Sequence, residues 1–320
     1  MKISKSNFLT FVTLSGISVG IIHLINRFVS SNALSTDILK RDVGNIYDWD
    51  YGKICYQRFG SGRPLLLIHD LSAGGNSFEW SKTVDYFAED HCVYVVDLPG
   101  CGKSEKKSSS YVNYFFVRML RDFVKDIIGE KTDVIVNRFS CSFALIAAQQ
   151  DPDHFGKLVL LNPVNIKAVE KDHTPFDTAF KKILELPVIG TFIYYMMVSK
   201  ENVTELIADR LLYNPFYSEL EELVDSYYEA SHYGGYTAKY LYASLVSGYL
   251  NVNLSHFTEL VDNDVLILVG EDPKDQSSAN AYQDLNPEFD IQILPETCKI
   301  PHLERPEAFC STVGSFLKEE

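Results

Sequence analysis

The sequence predicts an α/β fold, a mostly parallel central sheet flanked by helices and interrupted by a long helical insertion. Three observations carry that expectation. Short apolar runs, "PLLLIHD" (64–70), "CVYVVDLPG" (92–100), "DVIVNR" (133–138) and "KLVLLNPV" (157–164), have the continuous hydrophobicity of strands buried on both faces. Helical patterns separate them, as in parallel strands joined by crossover helices. From 165 to 258 no strand pattern occurs, and strand and helix resume only with "DVLILVGE" (264–271).

In order, the first forty residues stand apart as an anchor and linker. "NFLTFVTLSGISVGIIHLINRFV" (7–29) is apolar and free of acids, follows Lys2 and Lys5, and ends near Arg27. A transmembrane helix needs about 20 such residues, so an uncleaved single-pass anchor is expected and the chain reads as membrane-associated. The alternative is an amphipathic helix docked on the domain or on a membrane surface. "IYDWDYGKICYQRFGSGRP" reads as an antiparallel hairpin closed by Gly-Ser-Gly. Helices are expected at about 76–89, 111–128 and 140–150 between the buried strands. The insertion, rich in Tyr, Leu and Ile, forms a helical cap over 165–258, and the core comprises 41–164 and 259–320. Such a cap covers the carboxyl edge of the strands, where ligands bind in open α/β sheets. "FDIQILPET" (289–297) and the helix "ERPEAFCSTVGSFLKEE" close the chain.

The net charge of −14 and the absence of any basic stripe exclude a nucleic-acid backbone as partner. Six cysteines lack C-x-x-C spacing and sit mostly in apolar runs, so neither a zinc site nor a disulfide framework is expected. "GCGKS" (100–104) imitates a phosphate loop, but that motif needs a glycine where Asp97 stands. No cofactor is implied.

"GSGRPLLLIHDLSAGGNSFEW", "VYVVDLPGCGKSEK", "DVLILVGEDP" and "IPHLERPEAF" occur in the order of the conserved stretches of one large family. The chain resembles the α/β-hydrolase family, in its lidded form with a helical cap after the sixth strand. That resemblance implies a Ser-His-Asp site and lipophilic esters or acyl compounds as ligands. Residue by residue, the pattern departs from it. The strand-to-helix stretch "DVIVNRFSCSFALIAAQQ" (133–150) falls at the nucleophile elbow. Ungapped counting from either side places Arg138 at the serine's position, and a guanidinium has only N–H donors. A two-residue shift would make Ser140 the nucleophile. The base position holds Lys299, whose reference pKa of about 10.4 makes it a poor base unless desolvated. His302 falls on the family's second, structural histidine. Pro273 occupies the acid position, flanked by Asp272 and Asp275, and Asp272 is equally suited to capping a helix.

On the oxyanion side, the Leu71 N–H follows His69 and Asp70. The second donor would be Cys141 if Ser140 attacks, or Phe139 in the ungapped register. Asp70 stands where the family has glycine and carries the wrong sign for an oxyanion hole. Three readings follow: a family member with weak or lost catalysis that keeps a lipophilic pocket; an active hydrolase using Ser140 with His302 or Lys299 and Asp272 or Asp275; or a membrane-tethered binding or scaffold module. His232 is expected to be an ordinary buried histidine.

Overall fold

Uninterrupted Val, Leu and Ile runs have no polar face to give to water, and they become the inner strands of one sheet. The computed structural model describes residues 5–39 and 44–318, with side chains from residue 18 onward. The strands are β1 (Asn45–Trp49), β2 (Gly52–Gly60), β3 (Arg63–Ile68), β4 (His91–Val96), β5 (Thr132–Asn137), β6 (Phe155–Leu161), β7 (Val265–Val269) and β8 (Asp290–Ile293). They form one eight-stranded sheet in the order β1-β2-β4-β3-β5-β6-β7-β8. β2 runs antiparallel to β1 and β4, and every other pairing is parallel. The hairpin is therefore closed at Asp50–Tyr51. The Gly-Ser-Gly turn expected to close it instead releases the chain from β2 into β3, with β4 between them.

Helix α1 (Lys5–Ala33) precedes the sheet. The helix expected at 76–89 is a 3-10 turn, Ser77–Trp80, followed by the short α2 (Val84–Ala88). Next come α3 (Asn113–Phe123) and α4 (Ser140–Gln150). Between β6 and β7 lie α5 (Ile166–Val169), α6 (Pro175–Glu185), α7 (Ile189–Met197), α8 (Lys200–Leu206), α9 (Leu220–His232), α10 (Lys239–Val246) and α11 (Leu254–Leu260). The chain ends with α12 (Pro273–Leu285), α13 (Pro301–Glu304) and α14 (Pro306–Lys318). The last helix of the insertion, α11, packs on α4, α5 and α12, in the core layer and not with the cap helices.

Alternate strand residues face two cores. Leu66, Ile68, Val134 and Val136 pack with α3 and α4, while Leu65, Leu67, Ile135 and Val159 pack with Trp80 and α14. Helix α4 is buried along Ser140–Ala148, and Phe143 stacks on Phe116 at 5.1 Å. An element with so little exposed surface is held by packing, and a Leu-to-Ala change in it costs about 2–5 kcal/mol.

The N-terminal helix departs from expectation. Among the described residues no helix is long and apolar enough to cross a membrane, and α1 is instead found docked on the cap. Asn26 Nδ2 donates to the Val188 carbonyl at 2.9 Å, and Ala33 is fully buried. Beyond the helix, Glu229 of α9 accepts from Thr36 Oγ1 (2.9 Å) and the Ile38 N–H (2.8 Å), fixing the connection to the sheet.

Candidate functional site

The carboxyl ends of β3, β5, β6 and β7 converge where an open α/β sheet places its chemistry. The turn from β5 into α4 has one residue in the left-handed region, and it is Arg138, with φ +49°. Its N–H donates to the Leu161 carbonyl at 2.8 Å and its own carbonyl accepts the Cys141 N–H at 3.2 Å, which seats the sharp turn. A left-handed conformation on a non-glycine residue costs on the order of 1–3 kcal/mol and persists only when its surroundings impose it. Here the imposing group is Asp70, at the end of β3. Its Oδ2 accepts from Arg138 Nε at 3.1 Å, and its Oδ1 accepts the Phe139 N–H at 3.1 Å. The amide that follows the elbow residue is thus already holding an anion, supplied by the chain itself.

The two-residue shift of the elbow is not met. Ser140 is fully buried in the first turn of α4, and its hydroxyl donates to the His69 carbonyl at 2.7 Å. Cys141 does not face the site either. Its N–H is committed to Arg138, and burial pushes its thiol far above the ordinary range. Leu71 lies buried in the loop after Asp70.

Lys299 and Ser140 are committed to different partners. The Lys299 Nζ pairs with Asp272 Oδ2 at 3.0 Å and with Asp275 Oδ2. Asp272 also caps α12 by accepting the Lys274 N–H at 2.9 Å; that bond, and then Lys299, hold its carboxyl below the ordinary range. Pro273 occupies the first helical position, where its missing N–H removes nothing. Asn162, another non-glycine residue with positive φ (+42°), ties the strand ends: its Oδ1 accepts the Gly270 N–H (3.1 Å) and its Nδ2 donates to the Cys298 carbonyl (3.1 Å).

His302 stacks on Trp80 at 4.5 Å, fully buried, and neither ring nitrogen has a hydrogen-bond partner. Burial lowers its imidazole to about 3, so it packs as a neutral ring. His232 is likewise buried, stacked on Tyr195 at 4.7 Å, and lowered to about 4 by burial.

Glu79, which no sequence motif singles out, is the centre of the buried polar network. It accepts from the Asp70 N–H (3.2 Å), Asn137 Nδ2 (3.0 Å) and the Tyr227 hydroxyl of α9 (2.6 Å). One carboxylate therefore joins the β3 loop, the residue before the elbow and the cap. Burial, then the Asp70 charge, raise it to about 7. Its partners lie 9, 58 and 148 residues away, and no local pattern announces them.

The "GCGKS" turn repeats the same logic. Asp97 Oδ1 and Oδ2 accept the Ser77 (2.7 Å) and Lys103 (2.8 Å) N–H groups, so the turn binds its own carboxylate. Gly102, at φ +41°, is obligatory because a Cβ would lie 2.3 Å from that carboxyl carbon.

Above the β3 loop, a cleft of about 320 Å³ opens between Ser72–Gly74 and the cap. Val198, Val203, Leu206, Tyr242 and Leu245 give it apolar walls, and Tyr227 separates it from Glu79. Its size is at the lower end of the range for small-molecule pockets, about 300–1,000 Å³.

A family model of the alpha/beta hydrolase fold matches residues 63–273, two thirds of the sequence. The chain belongs to the α/β-hydrolase family. Among curated proteins it is similar to a pimeloyl-[acyl-carrier protein] methyl ester esterase of Vibrio parahaemolyticus, 37% identical over 67 residues. That match covers 21% of this chain and spans only about a quarter (26%) of the relative's length. Among solved structures, a serine hydrolase involved in carbazole degradation superposes with a TM-score of 0.70 at 22% identity, over 86% of this chain and 98% of that one. A membrane phospholipase A superposes with a TM-score of 0.65 at 20% identity, over 98% of both chains. At these identities the structural likeness speaks for the fold, and activity has to be argued from the site.

Proposed function

We propose that this member of the hydrolase family has given up ester hydrolysis and keeps the cleft beneath the cap to bind a lipophilic acyl compound or ester. The observation that carries the reading is the Asp70 carboxylate, seated on both the Arg138 guanidinium and the Phe139 N–H. Acyl transfer needs a nucleophile at the elbow and free donors for the developing oxyanion. Arg138 supplies no nucleophile, and the Phe139 donor is engaged by a fixed negative charge. Lys299 is engaged by two carboxylates, and the Ser140 hydroxyl is spent on the His69 carbonyl. Loss of one triad member typically removes most of the rate enhancement, and here the departures coincide.

The decisive experiment treats the purified protein with a fluorophosphonate probe and a panel of short- and medium-chain esters and thioesters. No labelling and no turnover above the Ser140→Ala variant is expected. Stoichiometric labelling at Ser140, abolished by that substitution, overturns the proposal in favour of a rearranged hydrolase.

A second observation bears on location. Ile21, Leu24, Ile25 and Phe28 of α1 are exposed, and the first 36 residues contain no acid in a chain of net charge −14. These features support α1 as a helix lying on an anionic membrane surface, its apolar side chains in the headgroup boundary. Flotation with phosphatidylglycerol vesicles tests it. Recovery of the full chain in the aqueous fraction at low salt counts against it.

A further inference from the structure

The largest of the described clefts, about 630 Å³, lies between α1 and the cap, away from the elbow. Val188, Tyr195 and Tyr236 contribute to its apolar walls, and its charged or basic side chains are His23, Arg27 and Lys239. No Asp or Glu lines it, although the chain holds 43 acids against 29 Lys and Arg. Lys239 is 1% exposed. Its Nζ donates to the Leu186 carbonyl (2.6 Å) and Thr191 Oγ1 (3.2 Å) and sits over the Tyr240 ring at 5.4 Å, which leaves one of three N–H groups without an oxygen acceptor. Among the described residues no carboxylate lies within ion-pair distance of it, and Glu185, the acid whose charge acts on it, is paired with Lys181. Buried ammonium groups are ordinarily paired, because desolvation without a counter-charge is costly. Burial accordingly lowers this one to about 8, despite the opposing pull of Glu185.

Two further features mark the cleft as built. Val188, at its rim, has φ +58° and ψ −63°, and the Ile189 N–H reaches back to the Pro187 carbonyl at 2.6 Å. That is the strained γ-turn, rare for a β-branched residue and typical of ligand clamps. Its carbonyl is the one that receives Asn26 Nδ2, so the strained turn is what seats α1. Arg27 and His23 have no side-chain hydrogen bond or ion pair among the described residues, and both face the same space.

We propose that this cleft binds an amphiphile with an anionic head, a carboxylate or phosphate, the head on Lys239 and Arg27 and the acyl chain along the apolar walls. The site is separate from the cleft beneath the cap, so it stands whether or not the elbow is catalytic. The chemistry has two sources, a free fatty acid or a lipid in a bilayer, and two arms of one experiment separate them. In the first, calorimetry on the full chain compares dodecanoate with dodecanol below their aggregation concentrations. In the second, co-sedimentation compares phosphatidylglycerol with phosphatidylcholine vesicles. Both are repeated with Lys239→Met, which keeps the stem volume, and with Arg27→Gln, which alters only an exposed side chain.

A preference for the anionic ligand of about tenfold or more, reduced at least several-fold in each variant, is expected from losing a charge-assisted contact. Sensitivity in the first arm identifies a free amphiphile; sensitivity only in the second identifies a membrane lipid, provided it is seen in Lys239→Met, since the buried Lys239 amine cannot meet a flat membrane surface as α1 can. Equal binding of the acid and the alcohol, with vesicle binding unaffected by both variants, overturns the proposal. Should Lys239→Met fail to fold, Arg27→Gln decides alone: an unchanged anion preference in that variant overturns it.

Discussion

Removing the Asp70 carboxylate should expose how much of the elbow's stability rests on it. In Asp70→Ala the Phe139 N–H loses its acceptor, and a charge-assisted hydrogen bond of that kind is worth about 1.5–3 kcal/mol. The Arg138 guanidinium loses its counter-ion in the same step. Breaking a fully buried pair costs about 3–5 kcal/mol, but the Arg138 side chain is 25% exposed and can recruit water, which favours the lower end. The two losses overlap because one carboxylate makes both contacts, so the expected total is about 3 kcal/mol. Asp70→Asn keeps an oxygen for the Phe139 N–H and should lose about half of that.

The assay is urea unfolding followed by far-ultraviolet circular dichroism, read as a midpoint shift at constant slope. The Asp70→Ala/Arg138→Ala double variant completes a cycle, in which the pair should show a coupling of at least about 1 kcal/mol. An Asp70→Ala midpoint indistinguishable from wild type, or additive single losses, would refute the claim that this carboxylate imposes the left-handed turn.

Arg138→Ser restores a hydroxyl at the elbow but should leave fluorophosphonate labelling at background, because Asp70 still occupies the Phe139 donor and no base adjoins. Labelling of that single variant would show that Asp70 is no obstacle. Tyr227→Phe removes the 2.6 Å bond between cap and core; a loss of about 1–2 kcal/mol and faster proteolysis within 199–250 are expected. An unchanged digestion rate would place the anchoring of the cap elsewhere. The pH dependence has two opposed parts. Glu79, raised from 4.5 to about 7, contributes stability that is fully present below pH 4.5 and is lost as pH rises through 7, about 3 kcal/mol in all. His302, lowered from 6.5 to about 3, contributes stability present above pH 6.5 and lost as pH falls toward 3. The two offset one another between pH 4.5 and 6.5. In that window Glu79→Gln should therefore lose stability on acidification and His302→Phe should gain it, while the parent protein stays nearly flat; equal slopes in all three proteins would contradict the assignment.

The fold was legible because its signals are local. Each inner strand is a continuous apolar run, and the insertion between β6 and β7 announces itself by lacking one. The hairpin turn was misplaced because Gly-Ser-Gly marks a reversal without saying which strand pairs next, and β4 is inserted from thirty residues downstream. Composition records the apolar content of the N-terminal helix but not the Asn26–Val188 contact that docks it on the cap. At the site, Arg138 could be counted from both flanks. Glu79 could not, because its role depends on three partners brought together only by the closed sheet and cap. Ser140 was a candidate only because a serine two places along cannot be told from the elbow residue until the backbone φ is known.

Asp70 and Asp97 together bear on the proposed loss of catalysis. Both sit at turns following parallel strands, where backbone N–H groups converge and an anion is welcome. Asp97 fills its turn by accepting the Ser77 and Lys103 N–H groups, away from the elbow. Asp70 fills the one turn whose amide would otherwise receive a substrate oxyanion. An ester carbonyl approaching Phe139 would have to displace a carboxylate that also neutralises Arg138, separating two charges in a partly buried site. The opposite side of the site is closed in the same way, because moving Lys299 toward the elbow leaves Asp272 and Asp275 uncompensated. Changing the elbow residue alone cannot reopen it, since each remaining charge is held by a partner that the reaction would need free. Under the proposed loss of catalysis, recovering acyl transfer therefore requires Asp70→Gly, Arg138→Ser and Lys299→His in one chain. Any two of the three should fall short of turnover by the triple variant by at least about a hundredfold, as expected of groups that act as a unit.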